Sequence, residues 1–340
     1  MSVLETAIAE AQRRSAEGQA KEIFQKLIQK DQYVGEVYSL GYEAALVQIH
    51  DFHRRQVGGI PSLCFLIATR VSPDKEIDYK QEDSSILLLR VMDAAPLPNH
   101  SEAERVRVET AQRVSGETDT HWDDSGMMDP ATNNLLSFAG VKCRVIGTFF
   151  LDEDRQSNAA DKLVLRFGSD LSNYYPNRGL KVYKPNAEAL KMIVNYRDPD
   201  RSDQRTQQSV IVGDVRYAST NRSFQGIADV QVALMPADLL GQKTALFGMT
   251  RTGKSNTTKI VLKSVFDLRF DKRNSLRVGQ IVFDPNGEYA NENVQDENKQ
   301  KNPSAIKNIW RANNGDEKDV VTYGISKHPK DPNRRLMLLN

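Results

Sequence analysis

Apolar residues Leu4, Ile8, Ala11, Ala16, Ile23, Phe24, Leu27 and Ile28 recur at helical spacing among charged neighbours at the start of the chain. The pattern predicts an amphipathic helix over residues 3 to 30, or a helix pair broken at Gly18. From Val34 the period shortens. Short β-type runs follow at Val34 to Leu40, Ala44 to Ile49, Leu63 to Ile67 and Ile86 to Val91, separated by Gly, Pro and polar turns. Three more come at Lys142 to Phe150, Lys162 to Arg166 and Leu180 to Tyr183. Strands this short and this dense predict a closed barrel or sandwich rather than a doubly wound sheet.

Two polar stretches interrupt the pattern. Around residues 99–134, Ser101 to Glu104 forms a capping box that opens a helix running to about Val114, and an exposed loop carries His121, Asp123 and Asp124. This segment reads as a mobile insertion, with a protein-contact surface as the alternative. Residues 195–205 are charged, contain Pro199 and almost lack apolar side chains, as expected of a linker. The division expected is a helical segment at 1–30, a β-barrel at 31–207 and a nucleotide-binding core at 208–340.

Gly248 to Ser255 reads Gly-Met-Thr-Arg-Thr-Gly-Lys-Ser, a complete phosphate-binding P-loop. Its glycines let the backbone wrap closely around phosphates, and the N–H groups at the following helix start favour an anion. The context agrees. Thr244 to Phe247 reads as a short buried strand entering the loop, and Ile260, Val261, Ser264, Val265 and Leu268 form one helical face after it. The expected nucleotide contacts are Gly248, Met249, Thr250, Arg251, Thr252, Gly253, Lys254, Ser255 and Asn256. Lys254 would reach the β- and γ-phosphates, and the Ser255 hydroxyl would bind Mg²⁺. A second apolar run, 278–283, ends in Asp284 and a Pro-Asn-Gly turn that carries Glu288. One reading puts Asp284 on the metal and Glu288 near the attacking water; the other has both acids capping the turn.

Composition adds limits. The formal net charge of +1 with 27% charged residues gives no basic field that advertises nucleic acid. Cys64 and Cys143, both in apolar runs, read as buried thiols suited to a reducing cytoplasm. The longest apolar run is too short to cross a bilayer, and the N-terminus lacks the basic and apolar regions of a signal peptide. His50 and His53 lack two further ligands nearby, so a metal site there is disfavoured. No Gly-x-Gly-x-x-Gly, nucleophilic triad or guanine-reading Asn-Lys-x-Asp run is present.

The P-loop with Asn256 and Thr257, and Asp284-Pro-Asn-Gly-Glu-Tyr289 on the next expected strand, resemble the HerA branch of the HerA/FtsK ATPases. Val34 to Tyr38, Ala45 to His50, Arg144 to Thr148 and Leu165 to Asp170 are similar to the small N-terminal barrel of that family. The resemblance implies a multidomain α+β protein, with the barrel followed by a RecA-like α/β ATPase domain. It further implies an ATP- and Mg²⁺-dependent hexamer that threads double-stranded DNA through its pore and works with a nuclease or another effector. DNA end processing and anti-phage defence are the settings implied, and the barrel would be the docking surface.

There are departures. Arg251 and Thr252 stand where the family loop usually has Gly-Ser, and Asn286 replaces the usual His. Family members carry a later strand ending in paired acids and an arginine finger after it; residues 290–340 hold neither. The reading is a chain that stops partway through its ATPase domain, so turnover is expected of the longer protein and binding of this one. Lys254 and Glu288 are the expected catalytic residues, and Ser255 and Asp284 the expected metal ligands. The rival reading is an ATP-binding scaffold that assembles a partner enzyme without translocating.

Overall fold

A computed structural model describes residues 3–337 except 73, 76, 82, 83, 115–129, 155–161, 172, 175, 200–208, 219, 221, 250, 251, 273, 274, 291–304 and 329–333, and except the side chains of 3–14, 113, 114 and 131. His121, Asp123, Asp124, Thr250 and Arg251 therefore lie outside the described residues. The chain divides into two compact units. The first holds residues 1–202 and 214–230, the second 203–213 and 231–340.

The first unit opens on α1 (Val3–Leu27). Strands β1 (Tyr33–Leu40) and β2 (Ala44–His50) lead through the short α2 (Asp51–Gln56) to β3 (Phe65–Thr69) and β4 (Ile86–Ala95). The helices α3 (His100–Val114) and α4 (Pro130–Leu136) belong to the insertion. They precede β5 (Phe138–Glu153), β6 (Leu163–Gly168), β7 (Lys181–Tyr183) and α5 (Ala187–Val194). The sheet order is β2-β1-β7-β3-β4-β5-β6, and a further β2–β5 pairing closes six of these antiparallel strands into a barrel. β6 lies outside the ring, paired to the far end of β5.

Alternation explains the barrel. In β2, Ala45, Val47 and Ile49 point to the core while their neighbours are half-exposed. β4 is buried on both faces over its first four residues, Ile86 to Leu89. Leu87, Leu89 and Val91 join one apolar cluster with Val34, Val47, Leu66 and Cys143. Ile86 and Leu88 join a second with Ile67, Phe149, Phe24 and Leu27. That second cluster is where α1 docks. Ala16, Ala20, Phe24 and Leu27, spaced by four, four and three residues, form its buried stripe. Leu163 N donates to Gln19 Oε1 at 3.1 Å, tying the helix to β6. Gly18 does not break this helix, contrary to one sequence expectation. A mid-helix glycine costs only about 1 kcal/mol, less than the packed stripe on either side of it supplies.

β1 crosses β2 very closely. A Cβ at Gly35 would stand 1.8 Å from the Gln48 carbonyl oxygen, so only glycine fits. Both thiols are buried and free, and burial pushes Cys64 up to about 11 and Cys143 to about 12. His50 and His53 sit in an aromatic group with Tyr33 and Phe138. His50 Nδ1 accepts from Phe52 N at 3.1 Å. Among the described residues no helix is long and apolar enough to cross a membrane.

One buried charge stands out. Lys184 is 1% exposed, and burial pulls its ammonium down from 10.5 to about 8. Below that value both folded and unfolded chains hold the proton. Between it and 10.5 the unfolded chain binds a proton that the folded chain has shed, so this group makes stability rise with pH. The two thiols act in the opposite sense above 9.0. The stability gap between wild type and Lys184→Met should therefore move by about 1 kcal/mol in favour of wild type between about pH 7.5 and 9. Urea titrations of both proteins at the two pH values measure it.

In the second unit, β8 (Val210–Asp214) pairs with β9 (Gln231–Leu234), and α6 (Pro236–Leu239) precedes α7 (Lys254–Asp267). A 3₁₀ segment (Ile306–Asn313) and a two-strand parallel pair, β10 (Tyr323–Gly324) with β11 (Arg335–Leu336), follow. The two strands expected around the P-loop are not formed. Residues 244–247 and 278–284 have no ladder partner among the described residues, and Phe247, Ile281 and Phe283 are 92%, 87% and 88% exposed. Apolar runs of this kind become strands only when neighbours on both sides take their N–H and C=O groups.

Candidate nucleotide-binding site

The helix α7 carries the site and is held at its far end. Val265, Phe266 and Leu268 are buried, and the Arg269 guanidinium lies 3.9 Å from the centre of the Phe266 ring. Asp267 pairs with Lys263 and accepts from Asn313 Nδ2 at 2.8 Å. Arg269 also bridges to Asp319 at 3.1 Å. These contacts fix the helix axis and so place its N-terminus.

At that N-terminus Gly253 is the capping residue, with φ +88°, a left-handed conformation open to glycine at little cost. Its carbonyl accepts the first helical bond, from Thr257 N at 3.0 Å. Gly248, at the loop's start, approaches Thr252 so closely that a Cβ would fall 2.6 Å from the hydroxyl. Thr252 Oγ1 donates to the Met249 carbonyl at 2.7 Å, closing the turn. Lys254 folds its ammonium back onto the loop, donating to the carbonyls of Gly248 and Met249. Asn256 is exposed on the first turn of α7.

The acidic turn comes to the same place. Ser255 Oγ donates to Glu288 Oε2 at 2.7 Å, a short charge-assisted bond. Asp284 does different work. Its Oδ1 accepts from Glu288 N at 2.9 Å, and its Oδ2 from Tyr289 N and Ala290 N at 2.9 and 3.0 Å. Gly287, at φ +70°, permits the tight return that points these amides inward. The turn is tied to α7 by Gln280 Nε2, which donates to the Leu262 carbonyl at 3.2 Å, and to the 3₁₀ segment by Ile306 N to Tyr289 O at 2.9 Å.

Of the residues expected to act together, Lys254, Ser255 and Glu288 are thus neighbours, while Asp284 braces the turn that delivers Glu288. Sequence reasoning did not find Gln280, whose residue type signals no role without the fold; Thr252 was expected to contact nucleotide, and its hydroxyl here closes the loop turn.

Residues 217–326 match the family model described as the central domain of the helicase HerA. The matched stretch contains the whole P-loop, Asp284 and Glu288. This stretch of the chain is HerA-like. A search of curated proteins found no match.

The HerA-like assignment, an ATPase family in general, sets what the site should hold, and its residues fit ATP with Mg²⁺. The glycine cradle, the free N–H groups of α7 and the Lys254 ammonium suit phosphates, and the Ser255 hydroxyl beside the Glu288 carboxylate is a hard-oxygen pair suited to Mg²⁺. The ion would supply charge neutralisation between phosphate oxygens. For phosphate to enter, Lys254 must exchange its two loop carbonyls for anionic oxygens, which are stronger acceptors.

Proposed function

We propose that this HerA-like chain binds MgATP at Gly248 to Asn256 and belongs to an ATP-driven machine acting on double-stranded DNA. The observation that carries the nucleotide reading is the Ser255–Glu288 bond at the mouth of the P-loop. It sets a carboxylate beside the hydroxyl that would hold the metal, with Lys254 on the adjacent loop. Lys254 stabilises charge on the transferring phosphoryl group, Ser255 holds Mg²⁺, and Glu288 orients the metal's water or the attacking water. Asp284 holds Glu288 at that position.

The match over residues 217–326 supports the ATPase part of this reading; the larger reading is a hexameric ring that translocates duplex DNA together with a nuclease or other effector docked on the barrel, in end processing or anti-phage defence. Buried free thiols support work in a reducing cytoplasm. ATP hydrolysis by the intact protein, measured with and without duplex DNA, tests it. Stimulation by DNA supports the translocase; binding of nucleotide without turnover in either condition favours a scaffold that assembles a partner enzyme.

Glu288→Gln separates binding from chemistry. It should lower kcat by about 10²-fold while nucleotide affinity stays within a fewfold, because a neutral amide still accepts from Ser255 but cannot take a proton. An unchanged kcat would assign Glu288 to the turn alone.

A further inference from the structure

Residues directly opposite in antiparallel strands share a face, with Cβ atoms about 5 Å apart. On the outer face of the barrel one such row runs Phe65, Arg90, Arg144, Ala44 across β3, β4, β5 and β2. Two exposed arginines thus stand side by side, an arrangement that costs stability unless an anion joins them. Arg90 Nε donates to the Leu63 carbonyl at 3.3 Å, and its guanidinium lies 6.0 Å from the centre of the Phe65 ring. The Arg144 side chain has no hydrogen bond or ion pair among the described residues. Two residues earlier on β5, on the same face, the exposed Lys142 side chain has none either. Asp93 stands opposite Lys142 and accepts instead from Ala94 N at 2.8 Å.

The basic run leads to a cavity. Gly140, two residues before Lys142, lies opposite Ala95, where α3 and α4 approach the barrel. There Leu97, Ala103, Leu135, Leu136 and Phe138 line a cavity of about 240 Å³, room for one large apolar side chain. Two basic side chains also line it. His100 already pairs with Glu104 at 3.2 Å, whereas Arg107 is exposed and has no ion pair among the described residues.

Gly140, Lys142 and Arg144 follow one another at intervals of about 7 Å, the side-chain repeat of an extended chain. A phosphate backbone would meet the charges but carries no side chain for the cavity. We propose that this strip is the docking face for an acidic, extended segment of a partner protein. The segment places one apolar side chain in the cavity beside Arg107, and alternate carboxylates against Lys142 and the Arg90–Arg144 pair. The inference rests on the reading that an effector docks on the barrel, and it names the chemistry of that contact.

Fluorescence anisotropy of a labelled peptide carrying Leu-Ser-Glu-Ser-Glu, titrated with the intact protein at low salt, tests it. The peptide should bind wild type, and the double variant Lys142→Glu, Arg144→Glu should weaken it about tenfold or more. Replacing the peptide's Leu by Ser should cost about tenfold as well, since the cavity then stays unfilled. The melting temperature should not fall, because a carboxylate at 144 stands opposite Arg90. Equal binding by the double variant, or indifference to the Leu, would overturn the proposal. Displacement of the peptide by a short duplex DNA would give the face to phosphates and overturn it too. So would peptide binding that appears only when residues 115–129 are replaced by a Gly-Ser linker, which would assign the face to the chain's own acids there. DNA-stimulated ATP turnover is read separately, so failure of this site leaves the larger reading standing.

Discussion

Lys254→Ala in the intact protein should abolish ATP turnover. The Lys254 ammonium is the one side-chain cation joined to the loop among the described residues, through the Gly248 and Met249 carbonyls. On a developing phosphoryl charge such a group contributes about 3–4 kcal/mol or more, and its loss removes roughly 10²- to 10³-fold in rate even before weaker binding is counted. The structural cost should be small. The side chain's bonds are to exposed loop carbonyls, and α7 keeps its buried Val265, Phe266 and Leu268. Hydrolysis and nucleotide affinity should therefore fall together while the nucleotide-free melting temperature stays put. Normal ATPase activity in this variant would sink the nucleotide assignment.

Phe24→Ala should destabilise the barrel unit by about 3–5 kcal/mol, a large part of the roughly 5–15 kcal/mol that holds a typical domain. Phe24 is 0% exposed on α1, in one cluster with Ile67, Ile86, Leu88 and Phe149 from β3, β4 and β5. Truncation removes the ring and leaves a cavity among strands that cannot relax, because the ring of ladders fixes their spacing. The urea midpoint should drop with little change in slope. A loss below about 1 kcal/mol would mean that the helix rides on the barrel without supporting it. The same burial bears on partners. The stripe from Ala16 to Leu27 is spent on the barrel, so an effector would have to use other faces.

Much of the barrel was legible because a half-buried strand writes a period of two into its residues. β1, β2, β4 and β6 fall within a few residues of the expected runs, and α3 begins at His100, one residue before the Ser101 expected to cap it. Closure was not legible. The seven-residue β2–β5 register, from Ala44↔Arg144 to His50↔Phe138, joins segments far apart in sequence, and no local pattern encodes it. Lys184 was equally silent: in Val-Tyr-Lys-Pro it looks like any surface lysine, and its buried place between the Val57 and Gln225 carbonyls follows only from the tertiary fold.

At the site, the order of glycines, lysine and serine from Gly248 to Ser255 was determined by sequence alone, because phosphate binding needs backbone freedom and an N-terminal helix turn at fixed spacing. The different surroundings of the two acids were decided only by the tertiary structure. Asp284 and Glu288 are alike on paper, and either could face a metal. Three inward-pointing amides claim the first, and the Ser255 hydroxyl meets the second. That difference is made by how a glycine turn folds against α7, through contacts that neither segment carries within itself.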